Sequence, residues 1–156
     1  MVGITIRQLN KGETPPYALL ELADPSRKMI DAYLPHSETY LAEFGEKIIG
    51  VFVLSPLDQK ETIEIKNIAV LAEFQGKGLG KMMLRYAEEI SKKLGFAKLR
   101  IATANTSIAQ LQLYLSQGFL LVDIISDFFI KNYDDPIFEN GVQCRDLMVL
   151  EKEIQS

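Results

Sequence analysis

The chain has 156 residues, 47% of them hydrophobic and 24% charged, with 17 basic against 21 acidic side chains for a net charge of −4. That length suits a single domain over residues 1–156, with a core that needs no staples. One cysteine excludes an internal disulfide framework, and with one histidine it leaves no zinc site of the usual kind, so no metal is expected. A nucleic-acid binder needs a basic excess for its phosphate contacts, and this chain has none overall. No apolar run approaches the ~18–20 residues that span a bilayer. The start, Met1 to Glu13, is strand-like and carries no signal-peptide core. The expected compartment is the cytoplasm, with neither nucleic acid nor membrane as partner. An acidic surface suits a cationic amine, although plain solubility asks for the same charge.

In chain order, Ile4 to Leu9 alternates as a strand. Tyr17 to Leu22 and Arg27 to Leu34 read as short helices, opened by Pro15-Pro16 and by Asp24-Pro25-Ser26. Thr39 to Phe44 and Ile48 to Leu54 flank Gly45-Glu46-Lys47 and read as a hairpin, and Ile63 to Val70 as a further strand. Gly78 to Leu94 carries Leu79, Met82, Met83, Tyr86, Ala87, Ile90 and Leu94 on one stripe, the pattern of an amphipathic helix. Lys92 and Lys93 suit its last turn, and Gly95 its close. Lys98 to Thr103 is a strand. Ser107 to Ser116 is a helix with Ile108, Leu111 and Leu115 on one side and Asn105 or Thr106 as cap. Leu120 to Ile130 and Val142 to Lys152 read as two late strands, separated by the loop Asn132 to Gly141. Strands joined by hairpins, followed by strand–helix–strand, predict an α/β mixed sheet with helices on its faces.

The segment Gln75-Gly-Lys-Gly-Leu-Gly80 joins a strand to the long helix. Closely spaced glycines let main-chain N–H groups turn inward, and a helix N-terminus adds unpaired donors and partial positive charge. A pyrophosphate is the natural guest; a tight turn ahead of a helix is the plainer reading. A P-loop is excluded, because Met82 stands where its hydroxyl residue belongs and Gln75 where its first glycine belongs. The spacing also fails the dinucleotide fingerprint. In the preceding strand Ile63 and Ile65 are apolar at odd positions, Ile68 and Val70 at even ones. One inserted residue at Lys66-Asn67 produces that change of phase, as does burial on both faces.

Gln75-Gly-Lys-Gly-Leu-Gly80 resembles the Q/R-x-x-G-x-G/A loop of the GCN5-related N-acetyltransferases (GNAT). Asn67-Ile-Ala-Val70 resembles that family's strand entry, and Asn105 to Phe119, with Tyr114-Leu-Ser-Gln-Gly-Phe119, its second cofactor motif. The element order agrees over nearly the whole chain. The resemblance implies the GNAT fold, an about seven-stranded mixed sheet with helices on both faces and a splayed pair at the fourth and fifth strands. It implies acetyl-CoA as cosubstrate and an acetyltransferase acting on a primary amine of a small molecule or peptide by direct attack in a ternary complex. A non-catalytic acyl-CoA sensor on the same scaffold is the alternative. Cofactor contacts fall on Gln75, Gly76, Lys77, Gly78, Leu79, Gly80 and Lys81 for the pyrophosphate, on Ile68, Ala69 and Val70 for the pantetheine arm, and on Asn105 and Tyr114.

Tyr114 is the family's candidate acid for the departing thiolate, or else a core aromatic with a wet hydroxyl. Glu64 is a candidate base, directly or through water, or else a solvated strand carboxylate. Asn105 contacts the cofactor, caps its helix, or does both. His36 reads as a loop residue and Cys144 as packed rather than nucleophilic. Phe128, Phe129, Tyr133 and Phe138 suit an acceptor pocket, a dimer contact or core packing. Acceptor pockets of this fold come from residues 15 to 36 and 127 to 141. Asp127, Asp134, Asp135 and Glu139 there fit a cationic acceptor as well as a solvated loop. The acceptor's identity and the oligomeric state stay open, a homodimer through late-strand pairing being compatible.

Overall fold

A computed structural model describes residues 3–59 and 61–155, so Met1 and Val2 of the strand-like start lie outside the described residues. The chain runs β1 (Ile4–Gln8), α1 (Tyr17–Ala23), α2 (Arg27–Tyr33), a 3-10 turn (Leu34–His36), β2 (Glu38–Phe44), β3 (Lys47–Pro56) and β4 (Thr62–Val70). A second 3-10 turn (Ala72–Phe74) leads to α3 (Leu79–Lys93), β5 (Lys98–Ala104), α4 (Ile108–Ser116) and β6 (Leu120–Ile125). Then come α5 (Phe128–Asn132), β7 (Phe138–Glu139), β8 (Val142–Gln143) and β9 (Leu147–Glu153). Seven strands form one sheet in the order β1-β2-β3-β4-β5-β9-β6. Within it β4 and β5 run parallel and every other neighbouring pair antiparallel.

The sheet is apolar on both faces. One face packs Phe52, Leu54, Ile63, Ile65, Leu99 and Ile101 against Leu79, Met83 and Ala87 of α3 and Tyr114 of α4. The other packs Leu41, Val51, Val53 and Ala69 against Leu19 and Leu20 of α1 and Ile30 of α2. Helices therefore cover both faces, as expected. Ser26 caps α2 by accepting from Met29 N at 3.2 Å.

α3 lies close on the sheet because β3 offers a glycine there: a Cβ at Gly50 would sit 2.9 Å from Met83 Sδ. The buried face of α3 is Leu79, Met83, Leu84, Ala87 and Ser91, whereas Tyr86 and Leu94 are exposed. The stripe is thus rotated from the one periodicity suggests. Ser91 is tolerated inside because its hydroxyl donates to Ala87 O at 2.7 Å. In α4 the same correction applies: Tyr114 is buried, while Ile108 and Leu115 face outward.

The two late strands are shorter than their apolar runs. β6 ends at Ile125, because Asp127 takes the left-handed conformation (φ 56°) and its N–H is held by Asp146 Oδ1 at 2.9 Å. The chain then coils into α5 instead of extending to Ile130. The expected strand from Val142 to Lys152 is divided in two. Asn140 (φ 52°) and Gly141 (φ 76°) turn a small β7–β8 hairpin, and the main sheet resumes only at Leu147.

Candidate active site

The site begins with an irregularity in β4. Against β3, Val53 faces Asn67 and Leu54 faces Ile65, so Lys66 is the extra residue of a bulge. This is why Ile63 and Ile65 share a core face with Ile68 and Val70 despite the change of phase. β4 pairs with β5 only from Thr62 to Ile65, opposite Lys98 to Ile101. Beyond that, β5 continues to Ala104 beside β9, and the two strands part. A cavity of about 330 Å³ occupies the gap, lined by Glu64 to Val70 of β4 and Ile101 to Ala104 of β5.

Gln75, at the start of the glycine loop, lines the cavity, and the rest of the loop leads from it to α3. Gly76 (φ 74°) and Gly78 (φ 86°) hold left-handed conformations, and a Cβ on either would meet nothing within 4 Å. The space is open and the backbone is of a kind that side chains disfavour. Main-chain pairing resumes with Met82 N to Gly78 O at 3.1 Å. From Gly76 to Lys81, no N–H donates a hydrogen bond of ordinary geometry among the described residues. The first turn of α3 carries no acidic residue, and neither Lys77 nor Lys81 forms an ion pair among the described residues. Gln75 Nε2 donates to Val70 O at 3.0 Å, tying the loop to the end of β4. Orphan amides, a helix N-terminus and two unpaired ammonium groups make an anion cradle.

Tyr114 faces the cavity from α4, 5% exposed. Its hydroxyl has no hydrogen-bond partner among the described residues yet keeps accessible surface. Burial raises its pKa far above that of a free phenol, so it stays protonated at neutral pH. Glu64 also lines the cavity and is 3.2 Å from the Lys66 ammonium. Ile68, Ala69, Val70 and Gln75 line the same space. Asn105 does not: its Oδ1 accepts from Arg145 N and Asp146 N, both at 3.1 Å, and neither it nor Thr106 caps α4. Thr106 instead sits 3.1 Å from the buried Cys144 Sγ.

The far wall comes from the α1–α2 turn and from the segment after β6. Phe128, Phe129 and Tyr133 cluster with ring centroids 5.3 to 6.5 Å apart. All three line the cavity, whereas Phe138 is exposed on the β7–β8 hairpin. Of the acidic residues noted in this stretch only Glu139 is in the wall; Asp127 pairs with Arg145 at 3.0 Å, and Asp134 and Asp135 are exposed. Sequence reasoning missed Asp24, Tyr33 and Asn67 as wall residues. The one available signal for Asn67 was a polar residue among the isoleucines of a buried strand; Asp24 looked like an ordinary turn residue before proline.

The sequence profile of the acetyltransferase (GNAT) family matches residues 5–119, most of the chain and all of the gap, loop and Tyr114. The chain belongs to this family. As a GNAT acetyltransferase it is 48% identical over 134 residues to YvbK of Bacillus subtilis (strain 168), described as an uncharacterized N-acetyltransferase, covering 86% of each chain. A GNAT family acetyltransferase from Elizabethkingia anophelis, solved with acetyl-CoA bound, superposes with a TM-score of 0.95 at 46% identity, covering 98% of this chain and 99% of that one. A Bacillus subtilis acetyltransferase solved in complex with CoA gives a TM-score of 0.90 at 43% identity, covering 97% and 99%. The GNAT fold, with its mixed sheet parted between β4 and β5, is therefore this chain's fold.

Proposed function

We propose that this GNAT protein, a single domain over residues 1–156, transfers the acetyl group of acetyl-CoA to a primary amine by direct attack in a ternary complex. The observation that carries the reading is a coincidence of parts in one cavity. The edge of β4 left open by β5 and the unpartnered Tyr114 hydroxyl border it, and Gln75 in its lining joins it to the glycine loop and that loop's free amides. The amides of Gly76 to Lys81 would hold the pyrophosphate, with Gln75 placing the loop, and Ile68 to Val70 would pair with the pantetheine arm. Asn105, anchoring the 145–146 backbone, would act on the cofactor through the shape of that wall.

A main-chain N–H near Ile68, freed by the bulge, would polarise the thioester carbonyl. The amine nitrogen then forms its bond to the carbonyl carbon and the carbon–sulfur bond breaks. Glu64, or water beside it, takes the proton lost by nitrogen. Tyr114, protonated at neutral pH, gives its proton to the departing sulfur. Most of the rate would come from holding amine and carbonyl carbon ~3–3.5 Å apart. A cytoplasmic setting fits a chain whose one cysteine is a buried free thiol. The test is release of free CoA thiol on mixing the protein with acetyl-CoA and an amine panel of polyamines, aminoglycosides, amino acids and peptides. Acetyl-dependent thiol release with at least one amine supports the reading. Tight CoA binding without turnover would replace it with an acyl-CoA sensor.

A further inference from the structure

The wall opposite the glycine loop carries an unusual carboxylate. Asp24 lies between α1 and α2, and its Oδ1 accepts from Ser26 N at 3.1 Å and from the Tyr133 hydroxyl at 3.0 Å. Its Oδ2 has no partner among the described residues and keeps accessible surface, and the residue lines the cavity. No lysine or arginine among the described residues forms an ion pair with it. The Lys66 charge nearby favours the ionised form, but a half-buried carboxylate oriented by two donors and without a direct ion pair is more favourable beside a cation than alone. Burial raises its pKa, the direction expected when neutralisation is incomplete.

The surroundings narrow the guest. Three carboxylates, Asp24, Glu64 and Glu139, face the cavity against one ammonium, Lys66, which Glu64 already engages. Glu139 Oε1 accepts from the Ser107 hydroxyl at 2.7 Å and Glu64 Oε1 lies 3.2 Å from the Lys66 ammonium, whereas Asp24 is the carboxylate tied to the aromatic group, through the Tyr133 hydroxyl. Asn67, 4% exposed, spends its amide hydrogens on Leu20 O at 3.0 Å and on the Tyr33 hydroxyl at 2.9 Å. The nearby carbonyl fixes the orientation of that amide. Asn67 Oδ1 is then the one buried side-chain polar atom without a partner among the described residues. The wall therefore has an excess of acceptors over donors. Beside Asp24, the rings of Phe129 and Tyr133 lie 5.3 Å apart, inclined at 38°, and Phe128 meets Phe129 edge-on at 82°, an aromatic cluster that also favours a cation at its ring faces.

We infer that Asp24 is the recognition carboxylate for the acceptor, and that the acceptor presents an ammonium group flanked by an apolar or aromatic body. The ammonium meets Asp24 Oδ2, and the flank lies against Phe128, Phe129 and Tyr133. Deprotonation and attack follow once the amine moves to the thioester. The inference rests on the acetyl-transfer reading of the same cavity and gives it a substrate class. It also assigns Tyr133 a job: its hydroxyl holds Asp24 in place across the cavity mouth.

The experiment is calorimetric titration of the wild-type protein, with and without saturating CoA, using phenethylamine and its neutral match, phenethyl alcohol. The amine should bind about tenfold or more tightly than the alcohol, the difference expected for a charge-assisted hydrogen bond at a partly desolvated site. Asp24→Asn keeps the acceptor atom for Ser26 and Tyr133 and removes the charge; it should abolish the preference while CoA affinity stays within about twofold. Asp134→Asn, at an exposed carboxylate next to Tyr133, should change nothing. Equal affinity for amine and alcohol, no binding of the amine, or a preference that survives Asp24→Asn would each overturn the inference. Should Asp24→Asn also lose CoA, the variant has failed to fold and the wild-type amine-to-alcohol ratio decides. Failure of the acetyl-transfer reading shows elsewhere, as absent CoA binding or absent thiol release, and leaves the ratio measured without CoA to stand on its own.

Discussion

The Gly76–Lys81 end, joined to the cavity through Gln75, offers main chain, and the Asp24–Tyr133 end of the cavity wall offers side chains. The first end offers amides that no side chain supplies and no side chain obstructs. The second offers the carboxylates of Asp24 and Glu139, two tyrosines, an asparagine and a pair of phenylalanines, brought together from segments more than a hundred residues apart, with the Tyr133 to Asp24 bond spanning 109 positions. A site made of backbone needs only small residues and a helix start at fixed spacing. A site made of side chains depends on where tertiary packing delivers each of them. The first suits a ligand part that is always the same, and the second one that differs between relatives.

Gly78→Asp gives the largest effect expected. It places a side chain and a negative charge at a left-handed position facing the cradle, and CoA affinity should fall by about a hundredfold or more. Amine binding at the Asp24 end should survive. If CoA affinity is retained in titration calorimetry, the anion cradle is wrong. Tyr114→Phe comes next: kcat should drop about 10²-fold or more with CoA affinity nearly unchanged, since acid catalysis contributes about 10²–10⁴-fold. An unaltered kcat removes Tyr114 as the acid.

The same division explains what could be read from residue order. The glycine loop, its helix and Tyr114 lie within one local stretch, and the Lys66 bulge shows as a change of phase between Ile65 and Ile68. The mixed sheet and its helices on both faces follow from apolar periodicity and turn residues. The expected late strands are too long, because Val142 to Lys152 is apolar enough for a strand while Asn105 Oδ1 draws off the N–H groups of Arg145 and Asp146, and Asp146 holds Asp127 N, between Gln143 and Leu147. The exposed Ile108 and Leu115 misplaced the buried face of α4, whose core position is Tyr114. Asp24 was hidden altogether, since its partner Tyr133 lies in a different segment and no local pattern joins them.

Two smaller effects sharpen the contrast. Asp127→Val forces a β-branched residue into a left-handed conformation and removes the Arg145 pair. It should destabilise the chain by about 1–3 kcal/mol in urea unfolding and raise the acceptor KM without altering CoA affinity. Equal losses at both ends would deny that they are built separately. Glu13→Gln touches neither end. Hydrogen bonds from Arg7 and from Asn10 N hold the Glu13 carboxyl down to about 2. A lowered folded pKa stabilises above the ordinary carboxylate range, and that contribution is lost as pH falls toward 2. Glu13→Gln should therefore flatten the acid limb of the stability profile slightly between about pH 4.5 and 2, with turnover unchanged. An unaltered limb would show that Glu13 contributes nothing to it.

The most direct test of the central claim is an amide NMR titration with CoA. Two groups of resonances should move together: Gly76 to Lys81 in the cradle, and Ile68 to Val70 along the unpaired end of β4. Those of residues 127–135 on the acceptor wall should stay nearly still. Shifts concentrated on the acceptor wall, with the glycine loop unmoved, would contradict the account.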